Sequence, residues 1–195
     1  MITIKQLTSK SDLKKFVTLP FKLYKDSKYW VPSLIKDEME TLDTEKNPVF
    51  KNAEAWYYLA YKGDEIVGRI AVILNHLEVN EQGKKKIRFG WLDMVDDIEV
   101  TKALLEKAYE KGREHYLEYA EGPVGFSNME KAGILTMGFE EMNTMITWYH
   151  YPYYAEHLEK LGFEKQATWV EYKMNIPPAI LDKVKKFSKL VRERY

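Results

Sequence analysis

Tyr149, His150, Tyr151, Tyr153 and Tyr154, with His157 one turn on, form the densest run of side chains that could move a proton or wall a ligand in this 195-residue chain. Tyrosine hydroxyls and imidazoles give and take protons, and a tyrosine ring adds an apolar body suited to a pocket. The same rings serve equally as core. A second concentration is acidic: Asp93, Asp96, Asp97 and Glu99 crowd the segment WLDMVDDIEVTKA, with Lys102 the nearby opposite charge. Carboxylates at a helix start stabilise that helix by roughly 0.3 to 1 kcal/mol each. The other reading is an amine or cation site, although the spacing matches no metal motif. Glu54, Asp93 and Glu121 fall near expected strand edges, where a carboxylate is available as a general base. His76, His115 and His150 stand apart from one another, with no HxxxH or HExxH spacing.

Several chemistries are excluded. The chain has no cysteine, which removes disulfides, thiolate metal sites and a cysteine nucleophile together. It has no Gly-x-Ser-x-Gly elbow, P-loop or dinucleotide fingerprint, so hydrolase, NTPase and dehydrogenase readings fall away. Thirty basic and thirty acidic side chains cancel, leaving no global field to draw nucleic acid. No apolar run approaches the ~20 residues of a membrane span, and Met1 to Lys10 lacks a signal core, so the expected location is the cytoplasm.

The elements that must position these groups follow from periodicity. Ile2 to Leu7 is extended, and Ser9 or Ser11 caps a helix whose apolar face is Leu13, Phe16, Val17 and Leu19. A second amphipathic stretch carries Leu34, Ile35, Met39 and Leu42. Ala55 to Tyr61 and Ile66 to Leu74 read as a hairpin about Gly63 and Asp64. Ile87 to Val95 predicts a strand feeding a long helix over 96–116, capped by Asp96 with Glu99. Glu118 to Phe126 predicts a strand bent at Gly122 and Pro123, and Ser127 with Glu130 a short helix. Met145 to Tyr149 predicts a short strand, Pro152 to Leu161 a helix, and Phe163 to Met174 a terminal strand or strand pair. An amphipathic helix with a basic face follows over 179–194, giving expected bounds of 1–176 for the domain and 177–195 for the helix.

This order of elements, with WYYLAYKGDEIVGRIAVILN at Trp56 to Asn75 and YYAEHLEKLGFEK at Tyr153 to Lys165, resembles the GNAT acyltransferase superfamily. The resemblance implies an α/β (α+β) fold with a central, mixed, mostly antiparallel sheet flanked by helices. It also implies acyl transfer from acetyl-CoA or another acyl-CoA to a small-molecule amine. LPFKLYKDSKYWVPSLIKDE, NPVFKNAEAW and GPVGFSNMEKAG, at Leu19, Asn47 and Gly122 onward, look like the first half of bacterial proteins with two GNAT-like domains in tandem. The terminal helix would then lead toward a second domain.

The resemblance puts the cofactor loop at the strand-to-helix junction, with Met94, Val95, Asp96 and Lys102 as candidate contacts, and the candidate substrate-pocket residues are Trp30, Glu54, Trp91, Tyr149 and Tyr151. Two positions depart from the pattern. No glycine lies between Gly90 and Gly112, where the family uses a Gly-rich loop to approach a pyrophosphate, and the acidic cluster opposes an anion there. The family's acid, a Tyr four residues before the exit glycine, is Leu158 here, which leaves Tyr153, Tyr154 and His157 as displaced candidates. Three readings therefore stand: an acyl-CoA-dependent N-acyltransferase, a non-catalytic domain supporting a second one, and an interaction module using the basic terminal helix.

Overall fold

Gly63 and Asp64 form a two-residue connection between β2 (Ala53–Lys62) and β3 (Glu65–Asn75). Gly63 takes φ +63°, the left-handed conformation that such tight hairpin turns require. In this computed structural model, which describes residues 1–144, 146–175 and 182–194, the hairpin is the centre of a five-stranded sheet. The order is β1 (Ile2–Gln6), β2, β3, β4 (Lys86–Met94) and β5 (Tyr119–Glu121). Every pairing is antiparallel except β4 with β5, which is parallel and runs only from Lys86–Tyr119 to Arg88–Glu121. The sheet is thus mixed and mostly antiparallel, as expected.

Both faces of the sheet are covered, which explains why β3 and β4 are buried almost throughout. On one face Phe16, Val17 and Leu19 of α1 (Lys10–Leu23) pack on Leu59, Ala71 and Ile73. On the other, Val100, Leu104, Leu105 and Ala108 of α3 (Ile98–Glu114) pack on Tyr58, Ile70, Val72, Ile87 and Phe89. Each such apolar side chain contributes about 1.5 to 3 kcal/mol when fully buried. Ser9 caps α1, accepting from Asp12 N–H at 3.1 Å. Two shorter helices, α2 (Ile35–Thr41) and α4 (Tyr153–Lys160), flank the sheet's β4 end through contacts described below. Residues Met1–Glu164 form one compact unit and Lys165–Tyr195 another, the latter carrying α5 (Asp182–Arg194).

Several sequence expectations are corrected. Asp97, not Asp96, caps α3, because its carboxylate reaches Glu99 N–H at 3.0 Å while Asp96 turns to His157. The ladder of β5 ends at Glu121 before the bend, although Val124 N–H still donates to Phe89 O at 2.8 Å. Turns, not a helix, follow Ser127, and Glu130 accepts from Phe126 N–H instead of completing a helix cap. Residues 146–149 and 163–175 form no strand. Strand propensity needs a neighbour in register, and these segments have no ladder partner among the described residues. Met145, 176–181 and Tyr195, within the expected short strand and terminal helix, lie outside the described residues.

Candidate active site

β4 sets the geometry. Arg69 pairs with Asp93 and Ala71 with Gly90, so two residues of β4, Trp91 and Leu92, oppose Ile70 alone. This β-bulge breaks the alternation of the strand. Ile87 and Phe89 face α3, and so do Leu92 and Met94 beyond the bulge, while Trp91 packs on the α1 side. Without the extra residue Trp91 and Asp93 would share the face of Phe89; with it they turn toward α1. Trp91 holds φ +46°, a conformation that costs a bulky residue of order 1 to 3 kcal/mol. Gly90 precedes it because the chain after β5 passes too close for a side chain: a Cβ there would stand 2.5 Å from Val124 O.

Pro20 positions the next group. Lying inside α1, it has no N–H to give the Phe16 carbonyl, which the Arg69 guanidinium takes instead at 2.8 Å. Arg69 also grips Asp93 Oδ2 through Nε at 2.8 Å and Nη2 at 2.7 Å, with both side chains under 10 % exposed. The other carboxylate oxygen receives the hydroxyl of Tyr24, the residue that ends α1, at 2.8 Å. Tyr24 Oη lies 2.8 Å from Tyr154 Oη, which accepts from Met94 N–H at 3.2 Å. Tyr153 donates to Met94 O at 2.7 Å. Burial, then the Asp93 charge, push Tyr24 and Tyr154 well above the ordinary tyrosine range, so both hydroxyls stay protonated at neutral pH.

Above this buried chain opens a narrow cleft with a volume of about 40 Å³, room for a few waters, walled by Tyr24, Trp30, Trp91, Trp148 and Tyr149. Two further titratable side chains reach it. Glu38 of α2 accepts from Trp91 Nε1 at 2.6 Å, and Lys131 donates to Ser33 Oγ at 3.1 Å. Burial lowers the Lys131 ammonium's pKa, partly offset by Glu38. Asn143 pins the rim, its side chain accepting from Val31 N–H at 2.7 Å and its N–H donating to Tyr29 O at 3.2 Å.

Of the residues expected from sequence, Trp30, Trp91 and Tyr149 line the cleft, and Tyr151 packs behind Tyr24 and Tyr149. Tyr153, Tyr154 and Met94 meet at the end of β4. His157 instead bridges Thr101 Oγ1 at 2.8 Å and Asp96 at 3.2 Å, tying α4 to the start of α3. Val95 N–H belongs to the sheet, donating to Val67 O, and Lys102 is exposed. Glu54 does not join the group: it pairs with His76 at 3.0 Å on the outer part of β2. Tyr24, Arg69, Glu38 and Lys131 were not foreseen. One signal for them was legible, since a proline inside a helical pattern leaves a carbonyl four residues back in need of a donor. Among the described residues, no group of three or more acidic or histidine side chains could hold a metal ion, and no helix is long and apolar enough to cross a membrane.

No protein-family model matches the chain. Two solved structures superpose on 89 % of it: an aminoglycoside acetyltransferase from an uncultured soil metagenomic sample, at TM-score 0.52 and 15 % identity, and a predicted acetyltransferase of Clostridium acetobutylicum solved with acetyl-CoA, at 0.53 and 10 %. They are themselves covered over 97 % and 96 % of their lengths. The chain has the GNAT acetyltransferase fold. In sequence it is 30 % identical to Protein YghO of Escherichia coli K12 over 191 residues, 94 % of this chain and 49 % of that protein. It is also 30 % identical to the bacterial ceramide synthase of Caulobacter vibrioides over 165 residues, 84 % of this chain and 43 % of the other. The chain spans about half the length of the curated relatives it matches. Within this GNAT fold, the cleft lies beside the point where the β4–β5 ladder ends.

Proposed function

We propose that this chain is an N-acyltransferase domain that moves an acyl group from acyl-CoA to an amine held in the aromatic cleft. The observation that carries this reading is the convergence of Asp93, Tyr24 and Tyr154 at the C-terminal end of β4, beyond the end of the β4–β5 ladder. The shared acetyltransferase fold supports it, as does the similarity to a ceramide synthase, whose named product is the amide of a fatty acid and an amino alcohol.

The fit to acyl-CoA differs between its two ends. At the reacting end, Tyr153 and Tyr154 present protonated hydroxyls at Met94, and Tyr154 lies one helical turn before Leu158 on the same face of α4. At the diphosphate end, Glu99 N–H is already capped by Asp97, whose charge with that of Asp96 opposes a phosphate. Lys62, 3.4 Å from Asp97, and Lys102 are the cations beside it. Acyl-CoA supplies an activated carbonyl and a thiolate leaving group. The remainder falls to the chain: the cleft rings and Asp93 hold the acceptor as an ammonium, Asp93 with Tyr24 takes its proton, and Tyr154 returns one to sulfur. One C–N bond would form and one C–S bond break; from ammonium to amide, nitrogen loses two protons, of which one is matched by the proton that sulfur gains and the other passes to solvent.

The tyrosine contacts on Met94 and the Asp97 cap also favour a second reading, a GNAT-fold domain that fills its own cofactor site and supports another catalytic domain. Calorimetric titration of acetyl-CoA, with release of free thiol over an amine panel, separates the two. Micromolar binding with thiol release supports transfer. No binding here, with binding in a two-domain relative, supports the second reading.

A further inference from the structure

Two titratable side chains of the cleft lack an ionic partner. Lys131 and Glu38 both line it, both are half-buried, and neither forms an ion pair among the described residues. Arg69 and Asp93, by contrast, are committed to each other. An ammonium or a carboxylate partly out of water and without a counter-ion is costly, and burial lowers the Lys131 pKa accordingly. The backbone holds both groups in place. In the 122–133 segment, Gly125 N–H donates to Lys131 O at 3.2 Å and Ala132 bridges Val124. Glu38 stands in the first turn of α2, its N–H on Leu34 O at 3.0 Å. Each keeps bonding capacity toward the cleft. Lys131 gives one N–H to Ser33 Oγ and has two left, and the Ser33 hydroxyl has no acceptor among the described residues. Glu38 offers Oε2 to Trp91 Nε1, while Oε1 is unpartnered and open to water.

A simple amine would pair with Glu38 and leave Lys131 beside a second cation, and a simple carboxylate would do the converse. One small molecule carrying both charges satisfies both groups. The rings of Trp30, Trp91 and Trp148 suit its ammonium, and a cleft of about 40 Å³ keeps its two charges only a few atoms apart. Resting on the acyl-transfer reading above, we infer that the acceptor is a short amino acid, its ammonium toward Glu38 and the rings and its carboxylate on Lys131 and Ser33. Transfer forms one C–N bond to its nitrogen and breaks the C–S bond of the thioester, giving an N-acyl amino acid whose carboxylate is unchanged. Of the two protons the ammonium loses, one goes to sulfur and the other to solvent. A carboxylate is favoured over a phosphate because one lysine balances a single negative charge and Glu38 repels a second.

The test is titration of glycine, β-alanine and 4-aminobutyrate into the protein, with and without CoA, read by fluorescence of the three cleft tryptophans. Ethylamine and propionate are the single-charge controls, and O-phosphoethanolamine is the phosphate control. The tightest amino acid is expected to bind at least about ten-fold more tightly than ethylamine or propionate, the worth of one hydrogen bond to a charged group. Lys131→Met should erase the preference over ethylamine and Glu38→Gln the preference over propionate, whereas Lys131→Arg, which keeps the charge, should retain most of the first. Ethylamine binding as tightly as every amino acid, O-phosphoethanolamine binding more tightly than all three, a preference that survives Lys131→Met, or no binding by any of the three would each overturn the inference. The comparison of amino acids with ethylamine on the unaltered protein decides the matter even where a variant fails to fold. Thiol release from acetyl-CoA is scored separately. Release with ethylamine as readily as with the amino acids removes the amino acid and keeps the enzyme, while selective amino acid binding without release keeps the site and removes transfer.

Discussion

Arg69 donates to the Phe16 carbonyl across 2.8 Å, in the place of the N–H that Pro20 lacks four residues along α1. The helix defect and the buried carboxylate are thereby satisfied by one guanidinium, which fixes Asp93 opposite Tyr24. Arg69→Met removes both partners and leaves Asp93 charged and buried. The expected loss is about 3 to 5 kcal/mol in urea unfolding. Arg69→Met with Asp93→Leu should recover more than half of it, because the uncompensated charge is gone. A double variant as unstable as the single one would show that the Phe16 contact, not the ion pair, carries the energy.

Asp93→Asn, Tyr24→Phe and Tyr154→Phe each remove one proton-handling group from the end of β4. For each, kcat/KM for amine acylation is expected to fall by about 10² to 10⁴. His157→Gln, which bridges Thr101 and Asp96 away from the cleft, should cost stability more than turnover. Turnover that tracks melting temperature across all four variants would reduce the tyrosine–carboxylate chain to a structural element.

His150 gives the acid limb of stability a specific source. It is 2 % exposed, its Nδ1 accepts from Leu135 N–H at 3.4 Å, and burial lowers its pKa from 6.5 to about 4. A group whose folded pKa is depressed contributes stability above its unfolded value and loses it as pH falls toward the folded value. Between pH 7 and pH 4.5 the expected loss is about 2 kcal/mol. His150→Gln keeps an acceptor without a titrating ring, and its unfolding free energy should fall by correspondingly less over the same interval.

Asp97 separates capping from charge. Asp97→Ala should destabilise α3 by about 1 kcal/mol through loss of the Glu99 N–H acceptor, while Asp97→Ser retains the cap. If a diphosphate approaches this helix end, Asp97→Ser should tighten acetyl-CoA at least about two-fold, the worth of one carboxylate roughly 8 Å away in water. Unchanged affinity in calorimetry would place the diphosphate elsewhere.

The hairpin about Gly63, the strand feeding α3, and α4 after Pro152 were all legible in the chain, because each depends on local periodicity, turn chemistry and capping within a few residues. Of the tyrosine run at 149–154, expected as the wall of a site, Tyr149 lines the cleft and Tyr151 packs against it. The strand expected over 163–174 was not realised, since β-rich composition does not by itself provide a neighbour in register. What only the tertiary structure decided is the company that Asp93 keeps. Strict alternation along 87–94 would put it with Phe89 against α3, and the β4 bulge turns it to Tyr24 and Arg69, which lie 69 and 24 residues away in sequence. That bulge is a mismatch in count between two strands, two residues against one, and a register of this kind exists only once both strands are paired.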